Sequence, residues 1–457
     1  MNMDLLLRGT VITPLAAIEG GWIGVRDGKI AAIGDGTATP PEAAKTVDYG
    51  DRLILPGVID GQTHATSAKG LQGIGDTTRS AIAGGVTTLV DMPFDNPAPL
   101  DRPERLAAKV EAIAAHSHAD IALYATVTAE TGTEEIDALI AGGVVAFKIS
   151  SFESSPTRFP RIDAALMLDI MEKLAPTNLP IGLHNEDQEI VLARMARARA
   201  AGENGITAHS AARPVAAELA ATAQFLALAQ ATGAHAHPVH LSSGDGFSQV
   251  GAFAELGVRA TGETCVHYLW FDAARDGERL GPRMKVNPPI RPGEVENLWD
   301  AIVDGLVAFT SSDHSSWPID GKLTDSIFDA GAGVPGLETL LPAFFTAAEA
   351  RGLDAAMLAA EQLSERPAAF FGIADRKGAI RVGMDADFAI LEQGAFIWDE
   401  AKAHDGLNWS PFHGDTFTVR VAATYLRGEC GFDGNAITGR QGSGRHVARG
   451  ANCWFGN

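Results

Sequence analysis

Five residues that can bind a cation or move a proton stand at the ends of short apolar runs: His64 after LILPGVIDGQT, Lys148 after GVVAF, His184 after LPIGL, His240 after AHPV and Asp313 after LVAFTSS. Gln62 shares the first of these ends. Each is followed by small or polar residues, as when a strand passes into a loop. Singly, every one has a structural explanation. A strand-end histidine commonly satisfies a hydrogen bond, and an aspartate after Thr-Ser-Ser can cap the next helix. Lys148 is the harder case, because an ammonium closing an apolar strand is costly to bury without a partner. Carbamylation by CO2 resolves it by turning the amine into an anionic oxygen ligand. The repeated placement points to a cation site assembled from distant stretches.

The elements that must position these residues alternate in type. Apolar runs such as GVTTLVDMP, IALYATVTA and VVAFKIS are separated by Ala-rich helical patterns such as RPERLAAKVEAIAAHS. Strands alternating with helices imply parallel βα units. About eight such units between Leu53 and Ala374 predict an α/β fold, a (β/α)8 TIM-type barrel, whose strand C-termini converge on one mouth. The β-rich ends, LLLRGTVITP and WIGVRDGKIAAIG with GAIRVGMDADFAILE and VRVAATYLRGEC, predict one small β-domain built from both termini. The expected division is residues 1–53 with 380–434 for that domain, 54–379 for the barrel, and 435–457 for a Gly- and Arg-rich tail, either loose or an oligomer-contact arm.

Composition narrows the partners. The 457 residues are 46% hydrophobic and 20% charged, enough to bury a large interior. A formal charge of 36 − 57 = −21 repels nucleic acid and does not favour an anionic membrane surface. It leaves room for a small substrate in a local pocket. Three cysteines, Cys265, Cys430 and Cys453, give no disulfide framework and no CxxC metal site, which fits a reducing compartment. With no signal-type start and no membrane-length apolar run, a cytoplasmic enzyme is expected.

The ordered series PGVIDGQTH, AFKIS, GLHNED, HPVHLSS, TGETCVHYL, KVNPPIR, TSSDHSSW, GAGVPGLET, LSERPAAFFG and GMDADFAIL resembles the motifs of cyclic amidohydrolases: allantoinases, dihydropyrimidinases (hydantoinases) and dihydroorotases. The resemblance runs from Met3 to about Gly428. It implies metal-dependent hydrolysis of a cyclic amide in a small nitrogen heterocycle. His64 and Asp313 would hold the buried metal, an N6-carboxylated Lys148 would bridge, and His184 and His240 would hold an outer one. Asp313 would also be the general base, passing a proton from water to the leaving nitrogen. The implied cofactor is Zn2+ or Mn2+, one or two per chain. Asn287 would contact the ring amide, with Gln62, Asn96 and His267 as further substrate-facing candidates, and His314 would orient Asp313. A homo-oligomer, tetramer or dimer, is expected from the same resemblance.

One departure stands out. The family reads His-x-His after the first strand, and this chain reads Gln62-Thr63-His64. An amide is a far weaker zinc ligand than an imidazole. Gln62 either ligates weakly in a binuclear centre, or hydrogen-bonds beside a single metal, or marks an inactive relative; the single metal is the favoured reading. Ala65-Thr66-Ser67 lacks the arginine with which dihydroorotases hold a carboxylate, and the loop SSFESSPTRFPR resembles that of allantoinases, with Arg158 and Arg161 as candidates to meet an anionic group. The substrate expected is allantoin, a hydantoin or dihydropyrimidine, or a purine-derived ring. The alternatives are a non-catalytic scaffold like the dihydropyrimidinase-related proteins, or a deaminase of the same superfamily.

Overall fold

The apolar runs between residues 58 and 238 are strands of one all-parallel sheet in the computed structural model, which describes residues 2–451 and 454–456. Val58–His64, Val86–Asp91, Asp120–Ala125, Ala146–Ser150, Pro180–His184 and His235–Pro238 lie side by side in chain order, with His314–Ser315 against the first. Their residues are buried almost without a break, because helices such as Gly73–Ala83 and Pro103–His116 cover the outer side while the strands close on one another inside. Thr264–Cys265 pairs in parallel with Thr310–Ser311, and a bridge from Ala236 to Ala260 links that pair to the larger sheet. The ring is thereby closed as a (β/α)8 barrel.

Ile59, Val90, Tyr124, Phe309, Phe370 and Phe371 belong to the core cluster that fills the barrel. Gly61 is required by that filling, since a Cβ there would lie 2.2 Å from the Phe309 ring.

The second sheet joins the two ends of the chain. Its strand order is Glu429–Phe432, Thr416–Leu426, Phe388–Ile397, Ala43–Pro56, Met3–Ile12, Ala17–Arg26 and Lys29–Gly34. Phe388–Ile397 runs antiparallel to Ala43–Pro56, pairing Phe388 with Pro56 and Leu391 with Leu53. Only the pair Met3–Ile12 with Ala43–Pro56 is parallel among the pairings of this sheet. Buried ion pairs tie this sheet to the lower end of the barrel: Lys377 Nζ lies 2.6 Å from Asp120 and 2.5 Å from Asp387.

The tail is not loose over residues 442–450. Ile121 N donates to Arg445 O (2.9 Å) and Val447 N donates to Ile121 O (2.8 Å), so the tail adds a short parallel bridge at the N-terminal end of a barrel strand. Val447 is fully buried there, which explains why the segment packs on its own barrel. Cys453 lies outside the described residues.

Candidate active site

The strand ends gather at one mouth of the barrel around a cleft of about 450 Å3, lined among others by Gln62, His64, Lys148, His184, His240 and Asp313. Asp313 anchors one side. Its Oδ1 accepts a hydrogen bond from Gln62 Nε2 (2.8 Å) and lies 3.4 Å from His64 Nε2. His64 Nδ1 is 3.1 Å from Ser67 Oγ. Asp313 has φ +46° and His240 φ +43°, left-handed conformations that non-glycine residues keep only when surroundings impose them. For Asp313 the surroundings are visible. Fully buried Asp60 accepts from Ser312 N (2.7 Å), Ser312 Oγ (2.5 Å) and Thr63 Oγ1 (2.5 Å), pinning the turn before Asp313 to the first strand. Burial pushes the Asp60 carboxyl up to about 6 against these donors. Burial would also raise Asp313, but the hydrogen bond and charge of His64, with His240 and Lys148, hold it well below the ordinary carboxylate range.

The other side is a histidine pair. His184 Nδ1 and His240 Nε2 are 3.0 Å apart, with the rings edge to face. His184 Nε2 lies 2.9 Å from Glu186 Oε2, and Glu186 forms a buried ion pair with Arg213. Burial alone would raise Glu186, yet Arg213 and His184 overcome it and bring the carboxyl down to about 2. An ionised Glu186 accepts a hydrogen bond from His184 Nε2 and leaves Nδ1 facing His240. Burial, with His184 and Lys148 nearby, keeps His240 well below the usual imidazole value. His240 Nδ1 has no protein partner.

Lys148 lies in the middle of its strand, Ala146–Ser150, two residues short of the C-terminal end, its carbonyl accepting from Thr126 Oγ1 (2.6 Å). Its amine is buried, and burial lowers its affinity for a proton despite the charges of Asp313 and Glu263. A neutral amine is the form that reacts with CO2.

The walls are mostly apolar: Phe94, Phe152, Phe159, Met195, Trp317 and Phe328. Asn287 also lines the cleft, and its buried Oδ1 is unpartnered. The cations in the wall are engaged by the protein. Arg158 donates to the carbonyls of Asp95 (3.0 Å), Ser67 (2.6 Å) and Phe94 (3.2 Å), and Arg213 holds Glu186. Lys285 Nζ donates to Ile327 O (2.6 Å) and Ala330 O. Arg161 is exposed and pairs with Glu189 at 2.6 Å.

Three sequence candidates fall elsewhere. Asn96 is exposed and donates from Nδ2 to Ala68 O (3.1 Å); it caps a turn outside the cleft rather than facing it. His267 is buried against Tyr268 and is not among the residues lining the cleft, and burial brings its imidazole to about 4. His314 accepts from Gly336 N at Nδ1 and meets Ser316 Oγ at Nε2, so it braces the loop and leaves the orientation of Asp313 to Gln62 and His64. Sequence reasoning passed over Glu186, Arg213 and Asp60. The only hint was a glutamate two residues after His184 in GLHNED.

A divalent cation fits this donor set. Two imidazoles with facing nitrogens, an aspartate and a buried reactive amine are the borderline nitrogen and oxygen donors such ions take. The Gln62 Oε1 is buried without a partner, as a donor held for a ligand or water would be. The bare side chains form two pairs: among the described residues, no three histidine, cysteine or carboxylate donor atoms here lie within 4.8 Å of one another. A carbamate on Lys148 would add the missing oxygens. The acidic trio Asp120, Asp385 and Asp387 does converge, but Lys377 already sits on all three, with Arg427 on Asp120.

Comparison with known proteins agrees with this reading of the fold. The sequence profile of the amidohydrolase family matches residues 53–430. The chain is 36% identical over 440 residues to an allantoinase of Rubrobacter xylanophilus, covering 95% of each, and 34% identical to an allantoinase of Deinococcus radiodurans, covering 96% of this chain and 97% of that one. Among solved structures, the L-hydantoinase (dihydropyrimidinase) from Arthrobacter aurescens superposes with a TM-score of 0.91 at 30% identity, covering 98% of this chain and 100% of the other.

Proposed function

This chain belongs to the amidohydrolase family and is a cyclic amidohydrolase, and from that premise we propose that it opens a ring amide of a neutral cyclic ureide, allantoin or a hydantoin, with a divalent metal held at the barrel mouth. The observation that carries the choice of substrate is the state of the cleft's cations: Arg158, Arg213 and Lys285 are all engaged by the protein. An aromatic cleft with its cations engaged suits a flat neutral ring better than a carboxylate.

Family members use divalent metals. Here a carbamylated Lys148, His184 and His240 would hold one Zn2+ or Mn2+, with His64 and Asp313 completing the site. Carbamylation is balanced within the site: the amine lone pair forms a bond to the CO2 carbon, and one N–H proton leaves to water. A bound divalent cation supplies Lewis acidity, making water nucleophilic near neutral pH and polarising the ring carbonyl.

The chain's own residues do the rest. Asn287 Oδ1 accepts the ring N–H and fixes the face presented. Asp313, oriented by Gln62 and His64, takes a proton from the attacking water and delivers it to the ring nitrogen as the C–N bond breaks, leaving a ureido acid or its amide-opened equivalent. Phe94, Phe152 and Phe159 shed water from the reacting carbonyl.

Purified protein supplied with Zn2+ or Mn2+ and bicarbonate should open allantoin or a hydantoin and leave dihydroorotate untouched. Asp313→Asn should retain metal and lose kcat by about 100-fold or more. A kcat within tenfold of the parent would remove Asp313 from the proton path.

A further inference from the structure

Below Lys148, the barrel interior holds polar side chains that the proposed reaction does not use. Lys148 is in register with Gly182, and Gly182 with His237, so His237 shares the row of Lys148 with no side chain from the intervening strand between them. Ala146, two residues before Lys148 on the same face, is in register with Tyr124. Thr88 shares the inward face of its strand with Val90. Glu263 hangs beside the His235–Pro238 strand, its carbonyl accepting from Leu241 N (2.8 Å). All four side chains, Thr88, Tyr124, His237 and Glu263, are completely buried. Thr88 Oγ1, Tyr124 OH and His237 Nε2 nevertheless have no hydrogen-bond partner, and the Glu263 carboxylate, which the Ser311 hydroxyl approaches, keeps acceptor capacity unused.

Buried polar atoms are seldom left unpaired; where protein does not satisfy them, ordered water does. Tyr124, Glu263, Lys148 and His237 form a chain of neighbours. The Glu263 carboxyl feels the charges of Lys148 and Asp313, the Tyr124 phenol feels Glu263, and the His237 imidazole feels Lys148. No ion pair joins Lys148 to Glu263 among the described residues, and one hydroxyl from Ser311 leaves most of the carboxylate's acceptor sites open for bridging water.

We propose that these side chains hold a cluster of internal waters beneath Lys148, and that Glu263 is a positioning residue which acts through that water to keep the Lys148 side chain pointed into the cleft for carbamylation. This inference rests on the reading of Lys148 given above.

The test uses the metal-loaded full chain, equilibrated with 13C-bicarbonate and read by carbamate NMR, metal content and thermal unfolding. Glu263→Leu should fold with an unchanged or raised Tm, because a buried carboxyl is replaced by an apolar side chain of similar size. Its labelled carbamate and bound metal should nevertheless fall by about tenfold. Glu263→Gln, which still hydrogen-bonds water, should restore most of both. A folded Glu263→Leu with parental carbamate and metal overturns the inference. Should that variant not fold, Tyr124→Phe decides: a severalfold rise in the bicarbonate needed for half-occupancy supports the water cluster, and an unchanged requirement overturns it. An active parent with no carbamate signal fails earlier, at the reading of Lys148 itself, and removes the basis of this inference.

Discussion

At position 62 an amide donates to Asp313 Oδ1 where an imidazole would offer a lone pair. That exchange trades a metal ligand for an orienting hydrogen bond, and it favours one metal per chain. Gln62→His should raise bound metal towards two per chain by elemental analysis; an unchanged ratio would contradict this account of the buried side. Glu186 lends itself to a pH test. Its carboxyl lies at about 2 in the folded chain against an ordinary 4.5, so its contribution to stability is complete above pH 4.5 and is lost as pH falls towards 2. Glu186→Gln should therefore lower Tm at neutral pH, and the gap to the parent should close between pH 4.5 and 2. A gap independent of pH would mean that the ion pair with Arg213 carries little. At this scale the strand-end residues were legible because histidine, lysine and aspartate are conspicuous after apolar runs. Glu186 and Arg213 were not, since their partnership exists only once two distant loops meet.

Among the elements, the barrel strands declare themselves as Val-, Ile- and Leu-rich runs, and their C-terminal ends position the chemistry. The loop that walls the cleft beyond Asp313 is a different matter. Lys322 is buried, and its Nζ donates to the carbonyls of Lys285, Gly331 and Gly333, each at 2.8 Å. Nothing in GKLTDSIFDAGAG marks that lysine as a clamp, because its acceptors are backbone groups of any residue type. Lys322→Met should cost about 3 kcal/mol in urea unfolding, since three carbonyls lose the buried donor they share. It should also raise KM more than it lowers kcat, because Ala332 and Gly333 line the cleft while no proposed proton donor or acceptor is removed. Unchanged stability and KM would show that the wall holds without the clamp. Asn96 gives the converse lesson: it is a substrate-facing candidate in the sequence, and the loop instead turns it to solvent.

In the whole molecule, the terminal sheet and the tail both fasten the end of the barrel opposite the cleft. The sheet was readable from β-rich ends; the docking of the tail was not, because Gly- and Arg-rich composition resembles that of a flexible segment. Removing residues 441–457 uncovers the Val447 site and the Ile121 backbone, and should cost about 2 kcal/mol of stability while leaving KM unchanged. A fall in activity at constant Tm would place the tail in catalysis instead. The net charge of −21 belongs to this scale as well, and it leaves the local cleft, with its imidazoles and engaged arginines, to set what is bound. The most direct test of the whole assignment is diffraction from active crystals on either side of the zinc or manganese absorption edge. The expected result is electron density continuing from Lys148 Nζ into a carboxylate, with an anomalous peak within ligand distance of it, His184 and His240. An unmodified Lys148 in active crystals, or an anomalous peak only at Asp120, Asp385 and Asp387, would contradict it.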